Sequence, residues 1–247
     1  PLGLFDTRDV TGVVPQTRGV DGLRVTHFLS PTTLIETWLI PAKKNDAFIF
    51  GLRGELFWND IEAGAMVQYH PKSDLEGLPG FNQEMVQMGY HLKGEMEVGF
   101  WNESRLDIEM KPSAPMQFDT VLGIDYTFDI GEGLHVLMEY FLTTRQREFS
   151  LTDLKGHRTY QQIGISFDQP VGIDLKWQLF GLYDLRDESF QWIPQIEYAL
   201  TDSLFLYAHG RVGGSLKKGK KDGRLFRKTD EFNGTEPAVG ITLVNYF

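Results

Sequence analysis

Apolar and polar residues alternate with a period of two along nearly the whole chain, and helical periodicity is almost absent. In residues 117–128, Phe118, Thr120, Leu122, Ile124, Tyr126 and Phe128 share one face, while Asp119, Gly123, Asp125 and Thr127 share the other. In 171–184, Val171, Ile173, Leu175, Trp177, Leu179 and Tyr183 oppose Asp174, Lys176, Gln178 and Asp184. Ile61, Ala63, Ala65, Val67 and Tyr69 oppose Glu62, Gln68 and His70, and Leu134, Val136, Met138, Tyr140 and Leu142 oppose His135, Glu139 and Thr143. The pattern predicts about thirteen strands: 22–30, 33–41, 47–57, 60–70, 81–93, 95–104, 117–129, 133–143, 157–168, 171–184, 189–200, 203–213 and 237–247. Pro194 removes a ladder donor from one of them, so a bulge or a weakened strand is expected there.

The connections alternate between short and long. Short ones fall at Ser30-Pro31-Thr32, Trp58-Asn59, Lys93-Gly94, Ile130–Gly133, Gln169-Pro170 and Thr201-Asp202; longer ones at 42–46, 71–80, 105–116, 144–156, 185–188 and 214–236. Sorting loop length by end is the habit of a transmembrane barrel, with short periplasmic turns and long outer loops, and a soluble sandwich has no reason for it. In hydrocarbon every backbone donor and acceptor must be paired, so a membrane sheet has to close, with its apolar face toward lipid. Gly51, Gly64, Gly99, Gly123, Gly164 and Gly172 fall mainly on the presumed inner face, where small residues ease curvature. Tyr69, Tyr90, Phe118, Phe128, Tyr183, Phe190 and Tyr198 fall near strand ends on the outer face, as an interfacial girdle would. The expected fold is therefore all-β: a transmembrane antiparallel up-and-down β-barrel.

The final strand, Pro237 to Phe247, places Val239, Ile241, Leu243 and Phe247 on one face. It resembles the C-terminal signature of bacterial outer-membrane barrels, which the barrel assembly machinery reads. Asn245 departs from it, since an aromatic usually stands there. The opening Pro1-Leu-Gly-Leu-Phe-Asp-Thr-Arg-Asp-Val10, the element Glu36-Thr-Trp38-Leu-Ile-Pro41 and the stretch Leu122-Gly-Ile-Asp-Tyr-Thr-Phe128 add a second likeness. They resemble a broad group of proteobacterial, porin-like outer-membrane proteins of roughly twice this length. In that group a Trp-Gly turn is followed by Asn-Pro-Leu-x-Leu-Phe-Asp and a Pro-containing loop. The likeness covers the C-terminal portion of such proteins. It implies an outer-membrane barrel and no particular chemistry.

If Phe247 is periplasmic, counting back through the alternation starts strand 22–30 on the outside. Residues 1–21 then form an extracellular or lumen-inserted segment ahead of the barrel strands 22–247. Single-chain bacterial barrels have an even strand number and a periplasmic N-terminus, so an odd number of strands is expected upstream and about 14–18 in the whole. A miscount by one strand is the alternative.

Composition narrows the function classes. The chain has 247 residues, no cysteine and a formal charge of −10. Thiol chemistry and disulfides are excluded, and broad nucleic-acid binding is disfavoured. No run approaches the 18 uncharged apolar residues of a membrane helix. Gly214 to Lys221 matches the spacing of a phosphate loop, but no Ser or Thr follows the lysine and no helix is predicted after it, so it reads as a solvated loop. Basic residues crowd 216–228 (Lys217, Lys218, Lys220, Lys221, Arg224, Arg227 and Lys228) and could meet lipopolysaccharide phosphates, or simply solubilise the loop beside Asp222, Asp230 and Glu231.

Among the six histidines, His70 and His157 lie near outer strand ends with Asp74 and Asp153 in adjoining loops, yet no nucleophile motif accompanies them; His27, His91, His135 and His209 are strand-borne. No catalytic residues, cofactor or metal ligands are assigned. Alternation sends Arg53, Glu55, Glu62, Glu97, Asp125, Glu139, Arg158, Asp174, Lys176, Glu197 and Arg211 to the lumen, together with Arg24, Glu36, Gln68, Gln87, Asp119, Gln162, Gln178, Asp184 and His209. Acids outnumber bases there, which favours cations. Pairing across the wall, as between Arg53 and Glu62, would instead rigidify it. The expected function is a porin-like channel in a Gram-negative outer membrane, passing small solutes by diffusion, with lipid and lipopolysaccharide as surroundings and long loops extracellular. A structural barrel encasing a partner protein and an outer-membrane enzyme are the alternatives.

Overall fold

The computed structural model describes residues 22–41, 47–71, 84–111, 116–146, 159–216 and 236–245. They form thirteen strands: β1 (Leu23–Ser30), β2 (Thr33–Pro41), β3 (Phe48–Trp58), β4 (Ile61–His70), β5 (Met85–Glu95), β6 (Gly99–Glu109), β7 (Met116–Phe128), β8 (Leu134–Gln146), β9 (Thr159–Val171), β10 (Leu175–Asp184), β11 (Ser189–Ala199), β12 (Leu204–Ser215) and β13 (Ala238–Asn245). They lie in sequence order in one antiparallel up-and-down sheet. The fold is all-β, as the alternation predicts. No helix long and apolar enough to cross a membrane occurs among the described residues.

Two compact units make up the chain. The first holds β1–β6, β7 through Leu122 and β8 from Leu142; the second holds the rest of β7 and β8 with Tyr160 onward. Within each unit the register assigns faces, because directly opposite residues in an antiparallel pair share a side. In the first unit the rows Glu36–Arg53–Met66–Gly89–Arg105 and Trp38–Gly51–Gln68–Gln87–Asp107 run along one face. Leu39–Phe50–Tyr69–Val86–Ile108 and Thr37–Leu52–Val67–Met88–Leu106 run along the other. In the second unit Asp168–Gln178–Gln195–His209–Gly240 opposes Gln169–Trp177–Ile196–Ala208–Ile241.

Burial inverts what a water-soluble sheet would have. Glu36 is 5% exposed, Gln68 0%, Gln87 2% and Asp184 2%, whereas Phe50 is 55% exposed and Leu243 60%. The polar face is the covered one and the apolar face the open one.

Among the described residues, five rings lie over a glycine directly opposite on the neighbouring strand: Trp38 over Gly51, His91 over Gly64, Phe100 over Gly94, Trp192 over Gly181 and His209 over Gly240. A Cβ at any of these glycines would overlap the ring. Glycine here is the space the ring fills, and the ring covers backbone that glycine leaves bare.

Turn chemistry places the hairpins. Asn59, at φ 51°, turns β3 into β4, a left-handed conformation that Asn tolerates. Gly131 and Gly133, at φ 62° and 103°, turn β7 into β8. Two short connections depart from the sequence reading. β5 runs on to Glu95, so Lys93 and Gly94 pair with Trp101 and Phe100 and the turn falls at Met96–Val98. Pro170 pairs with Lys176, and the chain turns at Gly172, φ 67°, instead of at Gln169-Pro170. The turn goes to the residue with left-handed freedom. Pro194 makes no bulge: Trp192↔Val212 and Gln195↔His209 keep one register, and only the rungs between them are missing. The Pro194 ring packs against Gly210 instead.

The connection between β10 and β11, expected among the long loops, is a closed four-residue turn, Leu185–Glu188. Asp184 Oδ1 accepts from Arg186 N at 2.8 Å and Asp187 N at 3.2 Å, and Leu216 N donates to Glu188 O at 2.9 Å. The segment 1–21, the basic loop 217–228, Arg158, His157, Asp74, Asp153 and Phe247 lie outside the described residues.

Candidate functional site

Side chains on the polar face form connected chains of charge and hydrogen bonds rather than isolated pairs. In the first unit one begins at β1. Arg24 Nε donates to Glu36 Oε2 at 2.6 Å and Thr26 Oγ1 to the same oxygen at 3.1 Å. The Arg53 guanidinium reaches Glu36 at 3.7 Å and Glu55 at 3.1 Å. His91 Nε2 continues it, 4.0 Å from Glu55 Oε1 and 3.2 Å from Glu62 Oε1.

A second chain draws its side chains from five strands, β2 and β4 to β7. Trp38 Nε1 donates to Gln68 Oε1 at 2.5 Å. Gln68 Nε2 meets His70 and donates to Gln87 Oε1 at 3.2 Å. His70 Nε2 stands 2.6 Å from that same Gln87 oxygen, and Gln87 Nε2 donates to Asp107 Oδ1 at 3.0 Å. Arg105 lies 3.4 Å from Asp107 and 2.6 Å from Asp119, which also accepts from Gln117. Gln works here because its amide both accepts from a donor-only indole and donates onward.

The second unit carries its own cluster. His135 Nδ1 lies 2.9 Å from Asp168 Oδ1 and its Nε2 3.8 Å from Asp125; Lys176 Nζ is 2.8 Å from Asp168 Oδ2. The polar face of this unit is not uniformly polar. Phe141, Phe180 and Leu182 converge on Gly164, and Ile193, Phe205 and Tyr207 share their side of the sheet. Alternation in the sequence assigns charges and misses this apolar group, because Phe180 and Leu182 interrupt the polar positions of β10.

Of the sequence-assigned residues, Arg53, Glu55, Glu62, Asp125, Lys176, Glu197 and Arg211 stand on the polar face, Glu197 opposite Lys176 and Arg211 opposite Ala238. Glu139 is a half-buried member of β8. Glu97 and Asp174 do not line it: both sit in turns, where the alternation of a strand no longer applies, and the Asp174 carbonyl accepts from Ala199 N at 2.7 Å. Arg53 pairs with Glu36 and Glu55 rather than Glu62, because Met66 stands opposite Arg53 and Glu62 faces Lys93 and His91. Arg105 and Asp107 lie in what the sequence reading leaves as a loop. Their signal was present, since Trp101, Glu103, Arg105, Asp107 and Glu109 alternate with Leu106, Ile108 and Met110. Asn102 and Ser104 on the other face blur it.

Those two residues, with Thr120, satisfy one another. Ser104 Oγ and Thr120 Oγ1 are 2.7 Å apart, Asn102 Nδ2 donates to Thr120 Oγ1 and Val121 O, and Thr120 Oγ1 donates to Glu103 O at 3.1 Å. His70, weighed as a catalytic histidine from the sequence, is tied into the buried amide chain with Gln68 and Gln87. Val239, Ile241 and Leu243 lie on the apolar face of β13, highly exposed.

No protein-family model matches the chain, and no curated protein or solved structure is significantly similar to it.

Proposed function

We propose that the chain forms the wall of an outer-membrane barrel through which small solutes diffuse along the polar face. The observation that carries this reading is the inverted burial: carboxylates and amides covered and hydrogen-bonded on one face, and Phe50, Leu52, Ile124, Ile196 and Leu243 open on the other. Water rewards the opposite arrangement, and hydrocarbon rewards this one. Polar groups on the apolar face point the same way, since Asn102, Ser104 and Thr120 bond among themselves. In lipid the free edges at the two ends of the strand order must also be paired, so the inserted form is a closed one. Described carboxylates on the polar face (Glu36, Glu55, Glu62, Glu95, Glu103, Asp107, Glu109, Asp119, Asp125, Glu139, Asp168, Asp184 and Glu197) outnumber the cations (Arg24, Arg53, Lys93, Arg105, Lys176 and Arg211). Such a lumen favours cations. The turns joining β1–β2, β3–β4, β5–β6, β7–β8, β9–β10 and β11–β12 are assigned to the periplasmic side, and the other connections, the Leu185–Glu188 turn among them, to the cell exterior.

Planar-bilayer recording of the full-length protein tests this. Discrete conductance steps are expected, with a reversal potential under a salt gradient that leans toward cations. A silent bilayer, from protein whose heat-dependent gel mobility proves it folded, overturns the open channel. A second reading would then take its place: the apolar group around Gly164, with Phe141, Phe180 and Leu182, suits a wall packed against a segment or partner inside it.

A further inference from the structure

We propose that Glu55, Glu62 and His91 bind a single divalent transition-metal ion of the zinc class. The three residues come from β3, β4 and β5, and one ligand atom from each lies within 4.8 Å of the other two. His91 Nε2 is 3.2 Å from Glu62 Oε1 and 4.0 Å from Glu55 Oε1. Ligands at zinc bond lengths of about 2.0–2.2 Å stand roughly 3.4 Å apart on a tetrahedron, so small carboxylate rotations would close the set around an ion.

The backbone row explains why these atoms meet. Glu55, Gly64 and His91 are directly opposite one another in successive strands. Any side chain at 64 would overlap the imidazole and fill the space between His91 and Glu55. Glu62 enters from two residues before Gly64, on the same face.

Charge supplies an independent reason. The connected set Arg24, Glu36, Arg53, Glu55, His91 and Glu62 holds three carboxylates against two guanidiniums. With a neutral imidazole the set carries a net negative charge, which favours placing a cation among its carboxylates. Arg53 already divides itself between Glu36 and Glu55, so its guanidinium has a second carboxylate to hold when Glu55 turns to the metal. An imidazole among the ligands selects the zinc class over calcium and magnesium, which take oxygen alone. His91 and Glu62 keep 25% and 37% of their side-chain surface exposed, so an ion can enter and water can complete its coordination. Binding of this kind does not depend on conduction, and the two proposals fail separately.

The test is calorimetric titration of ZnCl2 into chelator-stripped, full-length protein folded in detergent micelles. One equivalent should bind at micromolar affinity or tighter. Glu62→Gln and His91→Asn should each weaken it by about tenfold or more. His135→Asn, which alters the cluster with Asp125, Asp168 and Lys176, should leave it unchanged. Absence of saturable binding by the folded protein, or binding indifferent to both site variants, overturns the proposal. A second measurement needs no variant. Zinc should slow diethylpyrocarbonate modification of His91 roughly fivefold or more, mapped by mass spectrometry, while His135 reacts as before. Equal reactivity of His91 with and without zinc overturns the site.

Discussion

Gln68 has no exposed surface and sits between an indole that can only donate and a second glutamine that needs a donor. Replacing it with Leu keeps the volume but removes the oxygen that accepts from Trp38 Nε1 and one of the two partners of the Gln87 oxygen, His70 being the other. An unmade buried bond costs about 1–3 kcal/mol, so Gln68→Leu should lower the denaturant midpoint by that equivalent with an unchanged slope. Asp184 is buried to the same degree for a different purpose: its carboxylate takes two backbone N–H groups of the turn that follows. Asp184→Asn retains an acceptor and should fall within about 1 kcal/mol of the parent, while Asp184→Ala should lose about 1–3 kcal/mol. Equal loss by both, measured by urea unfolding in micelles, would mean the charge matters and the hydrogen bonds do not.

At the scale of the element, the ring-over-glycine pairs carry packing that hydropathy does not describe. Gly51→Ala should destabilise by about 1–3 kcal/mol, because the new methyl overlaps the Trp38 ring. In a Trp38→Ala background the same change should cost far less, so a double-mutant cycle should give a coupling of at least about 1 kcal/mol. Additive effects would contradict the overlap. These pairs also mark where the sequence was legible. Strand number, order and facing followed from period-two alternation, which β7 and β13 show along most of their length, with Val121 and Val244 as apolar exceptions on the polar face. Hairpin positions were less legible, because Pro170 and Gly94 read as turn residues in isolation. The first is tolerated near a strand end and the second is held in the ladder by Phe100. The charged chains were legible in membership and not in partnership. Arg53 finds Glu55 two residues away on its own strand, a contact that depends on rotamers and not on face. The apolar group around Gly164 was illegible because one face of β10 is mixed.

For the whole molecule, the central question is what solvent meets the open apolar face. Leu52 stands in the middle of β3 with 46% of its surface exposed. In water a lysine there would be nearly neutral, within about 0.5 kcal/mol. Facing lipid near the midplane, it would cost about 2–4 kcal/mol. Leu52→Lys should therefore fall in the second range when refolding into lipid bilayers is followed by gel mobility, and a value in the first would remove the membrane from the reading.

The five ring-and-glycine pairs also bear on how the sheet reaches its final alignment. A strand that slips by one residue exposes the wrong face and is rejected by solvent. A slip of two keeps every residue on its proper side, so burial alone is blind to it. In β2 and β3 such a slip would set Trp38 against Ile49 or Arg53, and in β10 and β11 Trp192 against Leu179 or Tyr183. The ring then has nowhere to lie. Each glycine acts as a keyhole that admits one alignment, and the wall is proofread hairpin by hairpin as it assembles.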